Sequence, residues 1–309
     1  MTRPPHRSRV VCIGVATQDY IAAARDLPGP DGRVLADDLV EAGGGPAATA
    51  AVALARLGVP VSFIGNVGED ELGRRIANDL TCEGVETSLM GRIAGARSPS
   101  SVIVVHRPTA QRSIVTFPGS CGPPELTAEA LEACANASWI HLDQAGYLVL
   151  AALRKAGVQT PVSLDGGNPI PALNLSAVTL YVPTETALRR VFGDDSLSNL
   201  IEAALDCGPS TIVVTRGAGG SAAATRDSSS PEGIRVDAVA AVAAEPMVST
   251  LGAGDVFHGA LLAGMLEREL PEALHFANAA AALSCRALDG RSAIPSREEL
   301  DRFLACVSR

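Results

Sequence analysis

The chain has 309 residues, 47% of them hydrophobic but only 3% aromatic, and a formal net charge of −9. That length and apolar share suit one large α/β domain, or one domain with a small appendage, whose core must be built from Ala, Val and Leu. The acidic balance and the lack of a basic stripe argue against a nucleic-acid partner, and no apolar run approaches the length of a membrane span.

Seven cysteines (Cys12, Cys82, Cys121, Cys134, Cys207, Cys285 and Cys306) are widely spaced, with no C-x-x-C. They read as small thiols in a reducing, cytoplasmic setting rather than as disulfides or zinc ligands. The single lysine, Lys155, is followed by Ala156. A Walker A loop needs Gly-Lys-Ser/Thr, so a P-loop nucleotide site is excluded.

The basic start (Arg3, His6, Arg7, Arg9) before residues 10–16 has a superficial likeness to a secretory signal. Its apolar run is short and ends at Thr17-Gln18-Asp19, so it is read as a tail entering a first strand buried on both faces of a parallel sheet. Asp19 lies just beyond that strand, where open α/β sheets bind ligands; a solvated turn residue is the alternative. Residues 20–41 lack helical periodicity and carry Pro28-Gly29-Pro30-Asp31-Gly32, which predicts a β excursion with a strand at 33–41. Gly43-Gly44-Gly45-Pro46 then opens an Ala-rich helix ending at Arg56-Leu57-Gly58. The triple glycine is either a tight helix entry or backbone that must lie against something.

Residues 59–67 predict one strand, followed by a helix to about residue 83. Strands at 101–106 and 113–117, with residues 20–41, predict a small antiparallel layer apart from the main sheet. From about residue 125 the pattern becomes β/α alternation. Helices are expected at 126–135, 148–156, 184–192 and 199–207, and strands at 138–142, 162–165, 178–182 and 211–215. A hairpin follows at 221–225 and 233–236, with the loop Arg226-Asp227-Ser228-Ser229-Ser230-Pro231. Helices at 253–267, 271–287 and 298–306 complete the chain.

The most informative stretch is Ser249-Thr250-Leu251-Gly252-Ala253-Gly254-Asp255-Val256-Phe257-His258-Gly259-Ala260. The helix begins at Ala253, and its first-turn N–H groups form an anion site. A carboxylate, Asp255, stands beside it, which suits a base that deprotonates a hydroxyl while a phosphoryl group is held in line. A dipole-favoured Asp at a helix start is the plain alternative. Glycine clusters at 43–45, 217–220 and 252–254 each sit at a predicted element junction, and together they suggest a phosphate-handling cleft.

On Gly44-Gly45 through Ala55-Arg56-Leu57-Gly58, Thr215-Arg216-Gly217-Ala218-Gly219-Gly220 and Gly252-Ala253-Gly254-Asp255, the chain resembles the ribokinase/PfkB carbohydrate kinase family over nearly its whole length. Its nearest likeness is to the sulfofructose kinase branch, on residues 43–53, 252–260 and 290–295. The resemblance implies a three-layer α/β/α domain over residues 1–309 with a central, mostly parallel sheet and a β-sheet lid from about 20–41 and 85–118. It implies Asp255 as base and the N–H groups of Gly252, Ala253 and Gly254 as anion hole. Asp19, Gly44 and Gly45 would hold sugar hydroxyls, Thr215, Gly217 and Gly220 would line ATP phosphates, and Asn278 would lie on the adenine side. Thr49 stands where many members have a sugar-contacting Asn, and Thr116 where the sulfofructose branch has a lid Asn.

The family's N-x-x-E is absent. Pro183-Thr184-Glu185-Thr186-Ala187 replaces it, leaving Glu185 as the nearby carboxylate for Mg²⁺ and phosphate. Ser249 replaces the usual Asp, which puts a monovalent-cation requirement in doubt. The cation expected for a sulfonate is missing unless Arg97 or Arg112 substitutes. The expected activity is therefore ATP-dependent phosphorylation of a neutral ketose or furanose-like sugar, with MgATP and the sugar as small-molecule partners. The alternatives are a sulfofructose kinase, a nucleoside kinase and a silent sugar- or nucleotide-binding regulator. Homodimerisation through exposed lid edges is also expected.

Asp165, at a strand end, is open between an Asx turn and a ligand-orienting role. His258 is read as structural, on another helix face from Asp255. His141 and His106 are read as satisfied or surface residues, Trp139 as core, and Arg216 as either a phosphate contact or a solvated loop residue.

Overall fold

The computed structural model describes residues 9–227 and 233–307. Arg3, His6 and Arg7, and hairpin-loop residues 228–231, lie outside the described residues.

The first apolar run forms β1 (Val10–Ile13), buried throughout, and the chain then leaves the main sheet for β2 (Thr17–Ala24) and β3 (Asp38–Gly44). Both strands are displaced from the sequence expectation: β2 begins before residue 20, and β3 takes in Gly43 and Gly44. Helix α1 (Pro46–Arg56) follows, with Pro46 in its first turn. The expected single strand at 59–67 divides at Gly65 into β4 (Val61–Ile64) and β5 (Asn66–Gly68). Helix α2 (Glu71–Cys82) is capped by Asp70, whose carboxylate accepts the Gly73 N–H. A three-residue strand that the sequence did not mark, β6 (Gly91–Ile93), pairs with β5. Strands β7 (Ser100–His106) and β8 (Gln111–Phe117) form a hairpin.

The alternating half follows the predicted order: α3 (Ala128–Ala135), β9 (Trp139–Leu142), α4 (Leu150–Lys155), β10 (Val162–Asp165), β11 (Leu180–Val182), α5 (Glu185–Phe192), α6 (Leu197–Asp206) and β12 (Thr211–Thr215). The hairpin strands β13 (Ser221–Arg226) and β14 (Ile234–Val239) follow, then α7 (Ala253–Met265), α8 (Leu270–Ser284) and α9 (Arg297–Val307).

The eight-stranded sheet runs β14-β13-β12-β11-β10-β9-β1-β4. It is parallel from β4 to β12 and antiparallel at β13 and β14. Strand alternation splits the core between its faces. Val10 and Cys12 join α1, α7 and α8 on one side, while Val11 and Ile13 join α3, α4, α5 and α6 on the other. The first of these layers is Ala-rich: α1 alone buries Ala47, Ala48, Ala50, Ala51 and Ala53, so close helix packing replaces aromatic bulk.

The smaller sheet has the order β3-β2-β7-β8. It is mixed rather than wholly antiparallel, because β2 and β7 run parallel. Ile21, Ile103 and Val105 on its inner face pack with Leu251 and Leu288, which flank the start of α7 and the C-terminal loop. That packing fixes the sheet over the carboxyl ends of the central strands. Among the described residues, no helix is long and apolar enough to cross a membrane.

Candidate active site

Three segments are joined at the carboxyl ends of β1 and β9 by Asp143, which is fully buried. Its Oδ2 accepts the N–H groups of Val15 (2.7 Å) and Ala47 (3.3 Å), and its Oδ1 those of Ala145 and Gly146 (both 2.9 Å). Ala47 lies in the first turn of α1, which has no side-chain cap of its own, so Asp143 satisfies one of its orphan donors from across the sheet.

The start of α7 is shaped by Gly252, whose φ of +73° is the left-handed region that only glycine adopts freely. A Cβ there would also lie 2.8 Å from the Gly290 Cα, so the C-terminal loop packs directly on the helix start. Gly254 and Asp255 occupy the first turn, where N–H groups have no intrahelical partner. Asp255 is half-buried, and burial pushes its carboxyl up to about 7, with Asp165 and Asp143 adding to the rise and His258 and Arg112 opposing it. The Ser249 hydroxyl accepts the Leu251 N–H at 3.1 Å, so it is engaged in its own turn.

The lid side meets this helix start directly. The Ala110 carbonyl accepts from both the Thr250 N–H (3.4 Å) and its hydroxyl (3.3 Å). Arg112 of β8 donates to the same hydroxyl at 3.0 Å and faces Asp255, whereas Arg97 lies 4.5 Å over the Phe117 ring, within the lid.

Asp19 projects from the inner face of the smaller sheet, in register with Ser101 and Thr116. Thr17 donates to its carboxylate at 2.8 Å, and Thr116 and Ser101 share a 3.2 Å contact. Burial raises the Asp19 carboxyl above its usual range, against the pull of the Thr17 and Ser101 hydroxyls. Gly44 faces this carboxylate so closely that a Cβ would overlap it.

The residue that sequence reasoning missed here is Arg291. It is 6% exposed, donates from Nη2 to the Gly44 carbonyl (2.6 Å) and from Nε to the Thr49 hydroxyl (3.2 Å), and lies against Gly43. Burial lowers its guanidinium to about 10. A buried cation that sequence reasoning did not place here therefore lies beside Asp19, with Thr49 and Gly44 already holding two of its donors. Arg56 fixes the same loop through the carbonyls of Arg291 and Ile294, both at 2.9 Å. The signal in the sequence was an arginine within Gly290-Arg291-Ser292-Ala293-Ile294, paired with a third glycine at Gly43 that a simple helix entry did not require.

The remaining predicted residues gather at the ends of β11, β12 and β14. Thr215 ends β12, and the 217–219 turn is closed by the Arg216 N–H on the Gly220 carbonyl (2.8 Å). Asn278 donates to the carbonyls of Val239 (3.3 Å) and Ala240 (3.2 Å), which pack against Gly220. Its side chain thus supports the loop wall. Glu185 pairs with Arg189 (2.9 Å) and Arg216 (3.0 Å), which hold its carboxyl below the usual range. Arg216 is therefore a solvent-exposed loop residue that is paired with Glu185. Among the described residues, no group of three or more His, Cys, Asp or Glu side chains is arranged to hold a metal ion.

The helix face expected for His258 is corrected by the structure. Three residues beyond Asp255, it is a neighbour on the same helix face. It is buried, and its Nε2 lies 3.1 Å from Asp165 Oδ1. Asp165 also accepts the Gly167 N–H at 2.7 Å, the bond of an Asx turn, which is one of the two readings left open for it.

Comparison with known proteins agrees with this architecture. The chain is 29% identical to ribokinase from Arabidopsis thaliana over 97% of its own length and 82% of that protein's. It is 27% identical to fructokinase from Klebsiella pneumoniae, covering 90% of this chain and 95% of that one. The solved structure of Arabidopsis thaliana ribokinase complexed with ribose and ATP superposes with a TM-score of 0.81 at 27% identity, covering 96% and 98% of the two chains. The fold is that of a phosphotransferase with an alcohol acceptor. The model of the pfkB family of carbohydrate kinases matches residues 7–297, and the chain belongs to that family.

Proposed function

We propose that the chain transfers the γ-phosphoryl of MgATP to a primary hydroxyl of a neutral ketose or furanose-like sugar, with Asp255 as the base. The observation that carries this reading is that the sheet bearing the buried Asp19 docks on the start of α7 at Thr250, beside Asp255, and that Arg291 lies within range of both carboxylates. Asp19 and the Gly44 backbone hold sugar hydroxyls, with Gly45, Thr49 and Thr116 around them. Asp255 takes the proton of the reacting hydroxyl, and the amides of Gly252, Ala253 and Gly254 neutralise charge developing on the transferred phosphoryl. ATP phosphates lie along Thr215, Gly217 and Gly220, with Asn278 shaping the adenine side. The ribose and ATP bound by the Arabidopsis relative, and the fructokinase likeness, support this substrate pair.

Glu185 is the carboxylate nearest the loop that could approach the Mg²⁺ of MgATP. Two arginines already hold it, which favours a metal carried mainly by the phosphates. Ser249, engaged in its own turn, favours an enzyme without a monovalent-cation requirement. A sulfonated sugar is the second reading, favoured by the buried Arg291.

The test is an ATP-dependent phosphorylation screen over ketoses, ribose, sulfofructose and nucleosides. Asp255→Asn is expected to lower kcat by roughly 10²–10⁴ without unfolding the chain; turnover near that of the parent protein refutes the assignment. Leu39, Val102 and Val115 are exposed on the outer face of the smaller sheet, and we propose self-association through it. A monomeric mass by light scattering refutes that.

A further inference from the structure

Behind Asp255 the three central elements β9, β10 and α7 bring four buried polar side chains together. Asp165 ends β10 and meets His258 of α7 at 3.1 Å. The His258 ring lies 5.3 Å from that of His141 on β9, and His141 Nδ1 is 3.4 Å from the Ser163 hydroxyl. Two ring nitrogens in this cluster, His258 Nδ1 and His141 Nε2, are buried and have no hydrogen-bond partner among the described residues. A core built for stability alone would place apolar residues here, because a buried ion pair and two orphaned nitrogens are unfavourable to desolvate. The cluster abuts the proposed base: His258 is one helical turn from Asp255 on the same face, and Asp165 acts on both.

We propose that Asp165 and His258 form a buried charge pair behind Asp255, in which His258 is a positioning residue: its positive charge offsets Asp165 and so lets Asp255 ionise and accept a hydroxyl proton near neutral pH. This inference rests on the reading of Asp255 as the base.

The charges facing Asp255 make the balance explicit. Asp165 from β10 and Asp143 from β9 oppose its ionisation, while His258 from its own helix and Arg112 from β8 favour it. Arg291 of the C-terminal loop is also within range of its charge. Burial disfavours the charged form of His258, but Asp165 and Asp255 more than offset this and hold its imidazole above the ordinary range. Asp165 is correspondingly held below the usual carboxylate range by His258, against the effect of burial. His141 is pushed down to about 3 by burial and by His258, so it stays neutral and closes the back of the pair without adding charge. Asp255 must be deprotonated to act, so activity rises with pH through its titration. Removing His258 leaves Asp165 uncompensated and moves that rise to higher pH. Neutralising Asp165 removes the opposing charge and moves it to lower pH.

The experiment measures kcat/KM against pH for the full chain and for His258→Gln and Asp165→Asn. The asparagine retains an oxygen for the Gly167 N–H, so the local turn is preserved. His258→Gln is expected to move the acidic limb up by about one pH unit, and Asp165→Asn to move it down by a similar amount. Limbs that coincide with the parent protein's, or that move in the same direction, overturn the proposal. Imidazole NMR titration of the full chain gives an independent readout, with the His258 resonance assigned from the His258→Gln spectrum. Its midpoint is expected to fall in both Asp165→Asn and Asp255→Asn. An unchanged midpoint in Asp165→Asn also overturns the pair. If Asp255→Asn keeps its turnover while the His258 midpoint still falls, the charge pair stands and it is the base assignment that has failed.

Discussion

Replacing Asp143 by Asn tests the structural centre of the site without touching a proposed substrate contact. The aspartate accepts four backbone N–H groups, two on each oxygen, from the end of β1, the start of α1 and the turn after β9. An asparagine keeps one oxygen for one pair and turns its own N–H₂ toward the other. Two hydrogen bonds to a charged acceptor, contributing about 1.5–3 kcal/mol each, become donor–donor contacts. Relief from burying a carboxylate offsets part of that loss, leaving a net destabilisation of roughly 2–4 kcal/mol. Against a total stability of about 5–15 kcal/mol, this is a large fraction. Urea unfolding should show a lower midpoint at unchanged slope, and the melting temperature should fall by roughly 3–6 °C, at about 1.5 °C per kcal/mol for a chain of this length. A loss below about 1 kcal/mol would mean that these four bonds do not contribute as a charged acceptor set should, and the reasoning would be refuted.

Two further outcomes follow from local geometry. Gly44→Ala places a methyl group against the Asp19 carboxylate, so KM for the sugar should rise at least about tenfold while KM for ATP is unchanged; equal effects on both substrates contradict Asp19 as an acceptor-side group. Thr184 caps α5 by accepting the Ala187 N–H at 3.0 Å, and Thr184→Ala should lower stability by about 1 kcal/mol in a denaturant titration.

Much of the layer order was legible from residue patterns. The β/α alternation after residue 125 and the start of α7 at Ala253 follow from apolar periodicity and glycine placement. The β5–β6 pair escaped because three-residue strands carry no periodic signal, and Gly65 does not announce that the chain changes sheets. The parallel β2–β7 pairing joins residues about 80 positions apart, which no local pattern encodes. In the site, the glycine clusters and Asp255 were readable as motifs, whereas Asp143 and Arg291 owe their roles to partners far away in the chain. His258 was misassigned by treating three residues along a helix as a change of face, although positions three apart are neighbours.

The clasp between Arg56, Arg291 and the Gly44 segment has a kinetic meaning. Its hydrogen bonds join residues 235 to 247 positions apart. Such contacts form only after most loop-closure entropy has been overcome, so they belong to a late stage of folding. A partly folded chain in which the C-terminal loop has not docked lacks both Arg291 beneath Gly44 and Gly290 against Gly252. On the proposed assignment, substrate binds the finished fold alone and draws the population toward it by mass action, so a sugar that raises the melting temperature would act as a folding ligand as well as a reactant.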